Sequence, residues 1–145
     1  MKKRALVVCP GRGTYNASEL GYLQKHHAAR ADVVGVVDAV RAEKGQAPVS
    51  ALDKAEKYAP SVHMTGDNAS PLIYASALAD FAAIDRDTFD VVAVTGNSMG
   101  WYSALACAGA LSPENGFEVV NTMGTLMQDR LIGGQLIYPF MDESW

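Results

Sequence analysis

The sequence predicts an α/β fold built around a short parallel sheet. Residues 5–9 and 91–95 form two short apolar runs, each followed within two residues by a glycine, which is the pattern of buried parallel strands. Stretches with apolar residues at spacings of three and four lie between and after them, as in helices that cover a sheet. The 145 residues, 49% of them apolar, suit a single globular domain.

The region between the two strands predicts a series of helices. Asn16 and Glu19 fit a capping box that opens a helix over residues 16–30. Residues 31–43 place their apolar side chains on one helical face. Residues 50–58 then suit a short polar helix, because a serine stands at its first position.

The strongest amphipathic pattern in the chain covers residues 67–84. Within it, Ser70 and Pro71 have the composition of a helix start. After the second strand, residues 99–108 predict a helix of small side chains, and Gly109 is suited to cap its C-terminus.

The last part of the chain predicts one more helix and one more strand. Ser112 and Pro113 fit the capped start of a helix that runs to about Leu131. Residues 135–141 have the composition of a third strand. Three strands are few for a doubly wound sheet, so we expect the sequence to be a piece of a longer protein.

Charge and composition exclude some classes of partner. The net charge is −4, and the basic residues are scattered apart from Lys2, Lys3 and Arg4, so a basic footprint for nucleic acid is not predicted. The apolar run at residues 5–8 is too short for a signal peptide, and no stretch approaches the roughly 20 apolar residues of a membrane span. We therefore expect a cytoplasmic protein with small-molecule or protein partners.

The two cysteines, Cys9 and Cys107, lie inside apolar segments. They form neither a C-x-x-C pair nor a cluster with the spacing of metal ligands. We expect both to be buried free thiols, and we predict no metal site.

Ser98 is the candidate nucleophile. It stands between Gly96 and Gly100 in a G-x-S-x-G pattern, after a predicted strand and before a predicted helix. In such an elbow a strained turn exposes the serine hydroxyl, and the glycines let strand and helix pass close together. The backbone N–H of Met99, at the start of the helix, is then placed to stabilise an oxyanion.

Three segments carry a family resemblance: VVCPGRG near the N-terminus, ASPLIYASALADF in the middle and GNSMGWYSALACAGALS around Ser98. In this order they resemble the malonyl-CoA:acyl carrier protein transacylases and the acyltransferase domains of polyketide synthases. The patterns of that family are P-G-Q-G after the first strand and G-H-S-x-G-E-Y-x-A-L-x-x-A-G around the serine. The resemblance implies an α/β-hydrolase-like three-layer acyltransferase core. Residues 1–133 would belong to its large subdomain, and residues 134–145 would begin a smaller ferredoxin-like subdomain.

The resemblance implies a ping-pong acyl transfer. Ser98 would take the acyl group from an acyl-CoA and pass it to the phosphopantetheine thiol of an acyl carrier protein, with no permanently bound cofactor. The oxyanion hole of the family pairs the amide after the serine with the amide of the Gln in P-G-Q-G. The matching backbone N–H groups here belong to Met99 and Arg12.

The chain departs from the family pattern at several positions near the serine. Arg12 replaces the Gln, Asn97 replaces the His before the nucleophile, and Trp101 replaces a Glu. Together with Gly11 of the glycine-rich loop and with Met123, Asn97 and Trp101 are the candidate substrate-binding residues. The Arg12 side chain at the mouth of the site would meet the phosphates of coenzyme A.

Met123 is the most informative departure. The segment EVVNTMGTLMQ resembles the family helix whose Arg-Gly pair clasps the malonyl carboxylate, and Met123-Gly124 stands in place of that pair. A thioether cannot replace the bidentate Arg–carboxylate contact, so an uncharged acyl group is expected. Alternatively, Met123 belongs to an apolar stripe with Phe117, Val120 and Met127 and only fills the core.

A base for Ser98 is not evident in the sequence. His26 and His27 are expected on the exposed side of a helix, and His63 lies in a loop before the serine, whereas elbow enzymes place the base after it. In the family, the catalytic His lies well beyond the position of Trp145. We therefore expect an incomplete acyltransferase that is nearly inactive as given, and self-association through an unpaired strand at residues 135–141.

Two other interpretations stay open. In the first, the chain is a short homologue that binds acyl-CoA or a carrier protein without turnover. In the second, it is a serine esterase or an acyl-carrier-protein hydrolase on a similar elbow.

Overall fold

The computed structural model describes residues 1–130. Its elements, in chain order, are strand β1 (Lys3–Cys9), a 3-10 turn (Ala17–Glu19), helices α1 (Tyr22–His27), α2 (Ala31–Glu43), α3 (Val49–Asp53), α4 (Pro60–His63) and α5 (Gly66–Ala82), strand β2 (Phe89–Gly96), and helices α6 (Gly100–Cys107) and α7 (Pro113–Asp129). None of the helices in this part of the chain is long and apolar enough to cross a membrane.

The two strands form the parallel sheet that the sequence predicts, and the α/β class is confirmed. Each strand is longer than its apolar run, because two further residues extend the ladder at each N-terminal end, Lys3 and Arg4 in β1 and Phe89 and Asp90 in β2. The register pairs Ala5 with Val91 and Leu6 with Ala93, so Val92 is an extra residue at a β-bulge. The bulge keeps the apolar sets of the two strands on matching faces beyond it.

Helix α6 packs against one face of the sheet. Val7, Cys9 and Val94 point to that side and belong to the hydrophobic core or pack against it. On the opposite face, the side chains of Leu6 and Val8 are 60% and 59% exposed. Residues 1–130 therefore supply two of the three expected layers, the sheet and the helices on one side of it.

Helix α5 forms the centre of the core. Nearly every residue from Gly66 to Ala79 is buried, and α7 is its main neighbour. The two helices cross at Gly66 and Gly124, where a Cβ atom on Gly124 would lie 2.4 Å from the carbonyl oxygen of Gly66. Two glycines at the crossing let the helix backbones touch, which no larger residue allows.

The helix predicted over residues 16–30 is divided in two. Gly21 adopts a left-handed conformation with φ 85°, which ends the 3-10 turn and starts α1. The buried carboxylate of Asp53 then accepts hydrogen bonds from the N–H groups of Leu23 and Gln24, both at 3.2 Å, and from the Tyr15 hydroxyl at 2.6 Å. Asp53 is thus a tertiary cap for α1. The predicted capping box is also present, at the 3-10 turn, where the N–H of Asn16 donates to the Glu19 carboxylate at 2.8 Å. The helix predicted over residues 50–58 is shorter than expected, since α3 covers Val49–Asp53.

The start predicted for the long helix is also wrong. Helix α5 begins at Gly66, and Pro71 lies inside it. Proline has no N–H, so the carbonyl of Asp67, four residues earlier, lacks its helical donor. The guanidinium of Arg41 donates to that carbonyl at 2.6 Å and satisfies it from another helix.

The remaining helix predictions are confirmed. Helix α2 covers residues 31–43, and Gly109 has φ 75° after α6. The Ser112 hydroxyl accepts a hydrogen bond from the N–H of Asn115 at 3.2 Å and caps α7. The predicted strand at residues 135–141 and the domain assignment of residues 134–145 lie outside the described residues.

Arg41 provides a test of this fold. Its guanidinium is 1% exposed and also bonds to the Ala47 carbonyl and, at 2.7 Å, to the side chain of Asn68. Arg41→Met should lower the free energy of unfolding by about 2 to 4 kcal/mol, because buried carbonyls lose their donor. Lys44→Met is the control, since its surface pair with Glu118 at 3.1 Å should contribute less than about 1 kcal/mol. Urea unfolding followed by circular dichroism measures both, and equal losses would contradict this role for Arg41.

Candidate active site

The predicted strand-to-helix corner is present around Ser98. Strand β2 ends at Gly96 and helix α6 begins at Gly100, so three residues turn the chain between them. Among the non-glycine residues of 1–130, Ser98 is the one with a positive φ, 53°. A left-handed serine is strained, and here the turn holds its side chain at the surface.

Glycines make the corner possible. A Cβ atom on Gly96 would lie 2.1 Å from the carbonyl carbon and oxygen of Gly100, and one on Gly100 would lie 2.1 Å from the carbonyl oxygen of Cys9. The same Cys9 carbonyl accepts a hydrogen bond from the N–H of Asn97 at 3.1 Å. The end of β1 therefore fixes the residue that precedes Ser98.

The loop after β1 lies directly against the elbow. A Cβ atom on Gly11 would be 2.8 Å from the Asn97 carbonyl oxygen and 3.3 Å from Cβ of Ser98. The Thr14 hydroxyl donates to the Gly11 carbonyl at 3.1 Å and fixes the conformation of the loop. Gly11 is therefore needed for close packing of the loop on the turn that holds Ser98.

A cavity of about 380 Å³ opens beside Ser98. Its lining combines the loop after β1, the elbow, and the facing surfaces of three helices. The lining residues are Arg12, Ser70, Ser98, Met99, Tyr102, Met123, Gly124 and Met127. The volume lies in the lower part of the range of small-molecule sites, about 300 to 1,000 Å³.

Of three backbone donors at this cavity without a partner within residues 1–130, Ser98 carries one, and Arg12 and Met99 carry the other two. The N–H groups of Arg12 and Met99 take part in none of the hydrogen bonds there, although the N–H groups of Gly100 and Trp101 both bond within the turn. Met99 stands at the N-terminus of α6, where the unpaired amides carry partial positive charge. These are the two N–H groups that the resemblance assigns to an oxyanion hole.

The predicted substrate-binding residues divide into two groups. Met123 lines the cavity, so its position agrees with the pocket-wall interpretation rather than with core filling. Gly11, Asn97 and Trp101 do not line it. Gly11 packs against the Asn97 carbonyl next to Ser98, and Trp101 is 58% exposed on the first turn of α6.

The sequence did not single out four of the lining residues. Tyr102 lies four residues after Ser98, and Met127 lies four residues after Met123, so helical spacing could have identified both. Gly124 lines the cavity as the chain neighbour of Met123. Ser70 had no such signal, because the sequence placed it at a helix start and the structure places it inside α5.

The three histidines of the sequence all lie away from the cavity lining. His63 is buried, with Nε2 3.1 Å from the Leu52 carbonyl oxygen, and its ring stacks on Tyr58. His27 is buried, contrary to the exposed position predicted for it, because its Nε2 lies 2.6 Å from a carboxylate oxygen of Asp80. His26 is exposed as predicted. None of the three is placed as a base for Ser98.

The two cysteines are buried free thiols, as predicted. Their sulfur atoms lie 3.9 Å apart, between the end of β1 and the end of α6. The contact with Cys107 lowers the pKa of the Cys9 thiol, whereas the contact and burial raise the pKa of Cys107. Among residues 1–130 no cluster of three or more His, Cys, Asp or Glu side chains suits a metal ion.

Gly100→Ala tests the close approach on which the elbow depends. The added methyl group would collide with the Cys9 carbonyl oxygen, so we expect a loss of about 1 to 3 kcal/mol of stability and a displaced turn. Gly35→Ala is the control: it lies in the interior of α2 with nothing within 4 Å of the new methyl group. That change should stabilise the protein by about 0.5 to 1 kcal/mol. Chemical denaturation of both variants measures the contrast, and a tolerated Gly100→Ala would contradict the described packing.

No protein-family model and no curated protein matches this sequence. Its fold, however, matches solved structures. One is a malonyl transacylase in complex with its type II polyketide-synthase acyl carrier protein, with a TM-score of 0.71 and 22% identity over 88% of this chain and 40% of that one. Another is the acyl carrier protein S-malonyltransferase of Vibrio cholerae, with a TM-score of 0.71 and 24% identity over 92% of this chain and 42% of that one.

A third match is the acyl carrier protein S-malonyltransferase of Burkholderia pseudomallei, with a TM-score of 0.68 and 25% identity over 89% of this chain and 39% of that one. The chain thus spans between 39% and 42% of the length of these structures. The resemblance that the motifs indicated is confirmed at the level of structure: this chain has the α/β fold of the acyl carrier protein malonyltransferases.

Proposed function

We propose that the protein transfers an acyl group from an acyl-CoA to an acyl carrier protein through an ester on Ser98. The observation that carries the proposal is the arrangement at the elbow. An exposed serine with a strained backbone shares one cavity with two backbone N–H donors that have no partner in residues 1–130. This arrangement suits attack on a carbonyl and stabilisation of the oxyanion that forms.

The reaction has two steps. In the first, Oγ of Ser98 forms a bond to the thioester carbonyl carbon, the C–S bond breaks, and the hydroxyl proton ends on the released coenzyme A thiol. In the second, the phosphopantetheine thiol attacks the ester, the C–O bond breaks, and the proton returns to Ser98. In both steps the negative charge on the carbonyl oxygen faces the N–H groups of Met99 and Arg12.

An acyl carrier protein is the proposed acceptor. One of the matched structures is a malonyl transacylase bound to such a protein. The exposed ring of Trp101, beside the elbow on α6, suits a contact with a protein partner. The exposed guanidinium of Arg12 at the cavity suits the phosphates of the donor coenzyme A.

The methionine side of the cavity, opposite in character to Arg12, supports an uncharged acyl group. Met123 and Met127 present thioethers, which accept hydrogen bonds weakly and cannot pair with a carboxylate. A malonyl carboxylate held against them would lose hydration without gaining a cation at that position.

The positions of the histidines favour a second candidate function. Since none of them lines the cavity with Ser98, binding of an acyl-CoA or of a carrier protein without turnover is also compatible with the geometry. The two candidates differ in whether an ester forms on the serine.

Intact-mass spectrometry distinguishes these candidates. We expect incubation with acetyl-CoA to add one acetyl group to Ser98 over hours, slowly because a histidine base is not at hand. Ser98→Ala should abolish the adduct, whereas the exposed Ser18→Ala should leave it unchanged. Binding without any adduct would favour the non-catalytic candidate.

Met123→Arg tests the assignment of the acyl group. A guanidinium at this position of the cavity wall should raise the fraction of Ser98 modified by malonyl-CoA, relative to acetyl-CoA, by about tenfold or more. Leu126→Arg is the control, because it adds the same charge to an exposed position of α7 outside the cavity lining. A wild-type preference for malonyl over acetyl would overturn the proposed role of Met123.

A further inference from the structure

Ser70 has a hydroxyl group without a hydrogen-bond partner among residues 1–130. It lies in the second turn of α5, is 3% exposed, and lines the cavity that contains Ser98. None of the hydrogen bonds found within residues 1–130 involves this hydroxyl, whereas Ser76, in the same helix, donates to the Leu72 carbonyl at 2.9 Å. A helical serine commonly makes that local bond.

The helix crossing explains where the Ser70 hydroxyl points. A Cβ atom on Gly124 would lie 3.1 Å from Oγ of Ser70 and 2.4 Å from the Gly66 carbonyl oxygen. The hydroxyl therefore sits over the α7 backbone at Gly124, beside Met123, at the wall of the cavity. Ser70 and Met123 face the same space from two different helices.

Among the described residues that line the cavity, the methionines next to this hydroxyl do not satisfy it. The thioethers of Met123 and Met127 accept hydrogen bonds weakly and donate none. A largely buried hydroxyl without a good partner is unfavourable, and a polar ligand atom in the cavity would give it one. A purely hydrocarbon acyl chain would leave the hydroxyl unsatisfied, and a carboxylate would find no cation at Met123.

We propose that the Ser70 hydroxyl binds a hydroxyl or oxo oxygen on the acyl chain, so that the preferred donors are short, neutral, oxygen-substituted acyl thioesters. This inference rests on the proposed function. The cavity volume of about 380 Å³ suits a short chain rather than a long one. Gly124 is part of the subsite, because a side chain there would displace the Ser70 hydroxyl.

Calorimetric binding of two matched thioesters tests the proposal without turnover. Ser98→Ala protein is titrated with 3-hydroxybutyryl-CoA and with butyryl-CoA, which differ by one hydroxyl group. We expect the hydroxylated thioester to bind about tenfold more tightly, and the additional change Ser70→Ala to remove that difference. Ser76→Ala is the control from the same helix and should keep it, because its hydroxyl bonds to Leu72.

The outcomes separate the inference from the proposed function. Equal affinities, or a difference that survives Ser70→Ala, would overturn the inference and leave acyl transfer standing. Discrimination by Ser70 without any adduct on wild-type Ser98 would support the subsite and overturn the transferase. Failure of both thioesters to bind would overturn both.

Discussion

The contact between the end of β1 and the start of α6 is the constraint on which the site depends. Here two segments that are far apart in sequence touch through backbone atoms alone, because Gly100 has no side chain to separate them from Cys9. The Cys9 carbonyl then holds the N–H of Asn97, and the turn that follows forces Ser98 into the left-handed region. The strained backbone conformation of Ser98 persists because the packing on both sides of the turn fixes it.

A second backbone contact, the crossing of α5 and α7 at Gly66 and Gly124, brings the opposite wall of the cavity into position. Arg41 stabilises this wall by bonding to the carbonyl that Pro71 leaves free in α5. Burial lowers the pKa of its guanidinium, and the nearby carboxylates of Asp67 and Asp38 oppose that shift. The charge stays on the arginine and supports a structural role, since Arg41 does not line the cavity with Ser98.

The sequence predicts features that depend on neighbouring residues, but it does not predict features that depend on a contact with a residue far away in the chain. The elbow, both strands and the cap at Ser112 follow from neighbouring residues, so they could be predicted. The early start of α5 depends on Arg41, and the burial of His27 depends on Asp80; neither partner is near in sequence. Ser70 was missed for the same reason, because a Ser-Pro pair indicates a helix start unless another helix satisfies the carbonyl that the proline exposes.

Acyl transfer needs both stabilisation of the oxyanion and transfer of a proton, and these two requirements constrain the sequence differently. In the proposed transfer, backbone N–H groups would stabilise the oxyanion, so the side chain of Arg12 is compatible with this role as long as the loop at Gly11 keeps its path. Proton transfer from Ser98 needs a particular side chain, and the three histidines are engaged or exposed elsewhere. In the proposed reaction, residues 1–130 would therefore supply the backbone donors, and formation of an ester on Ser98 tests whether these donors suffice without a histidine base.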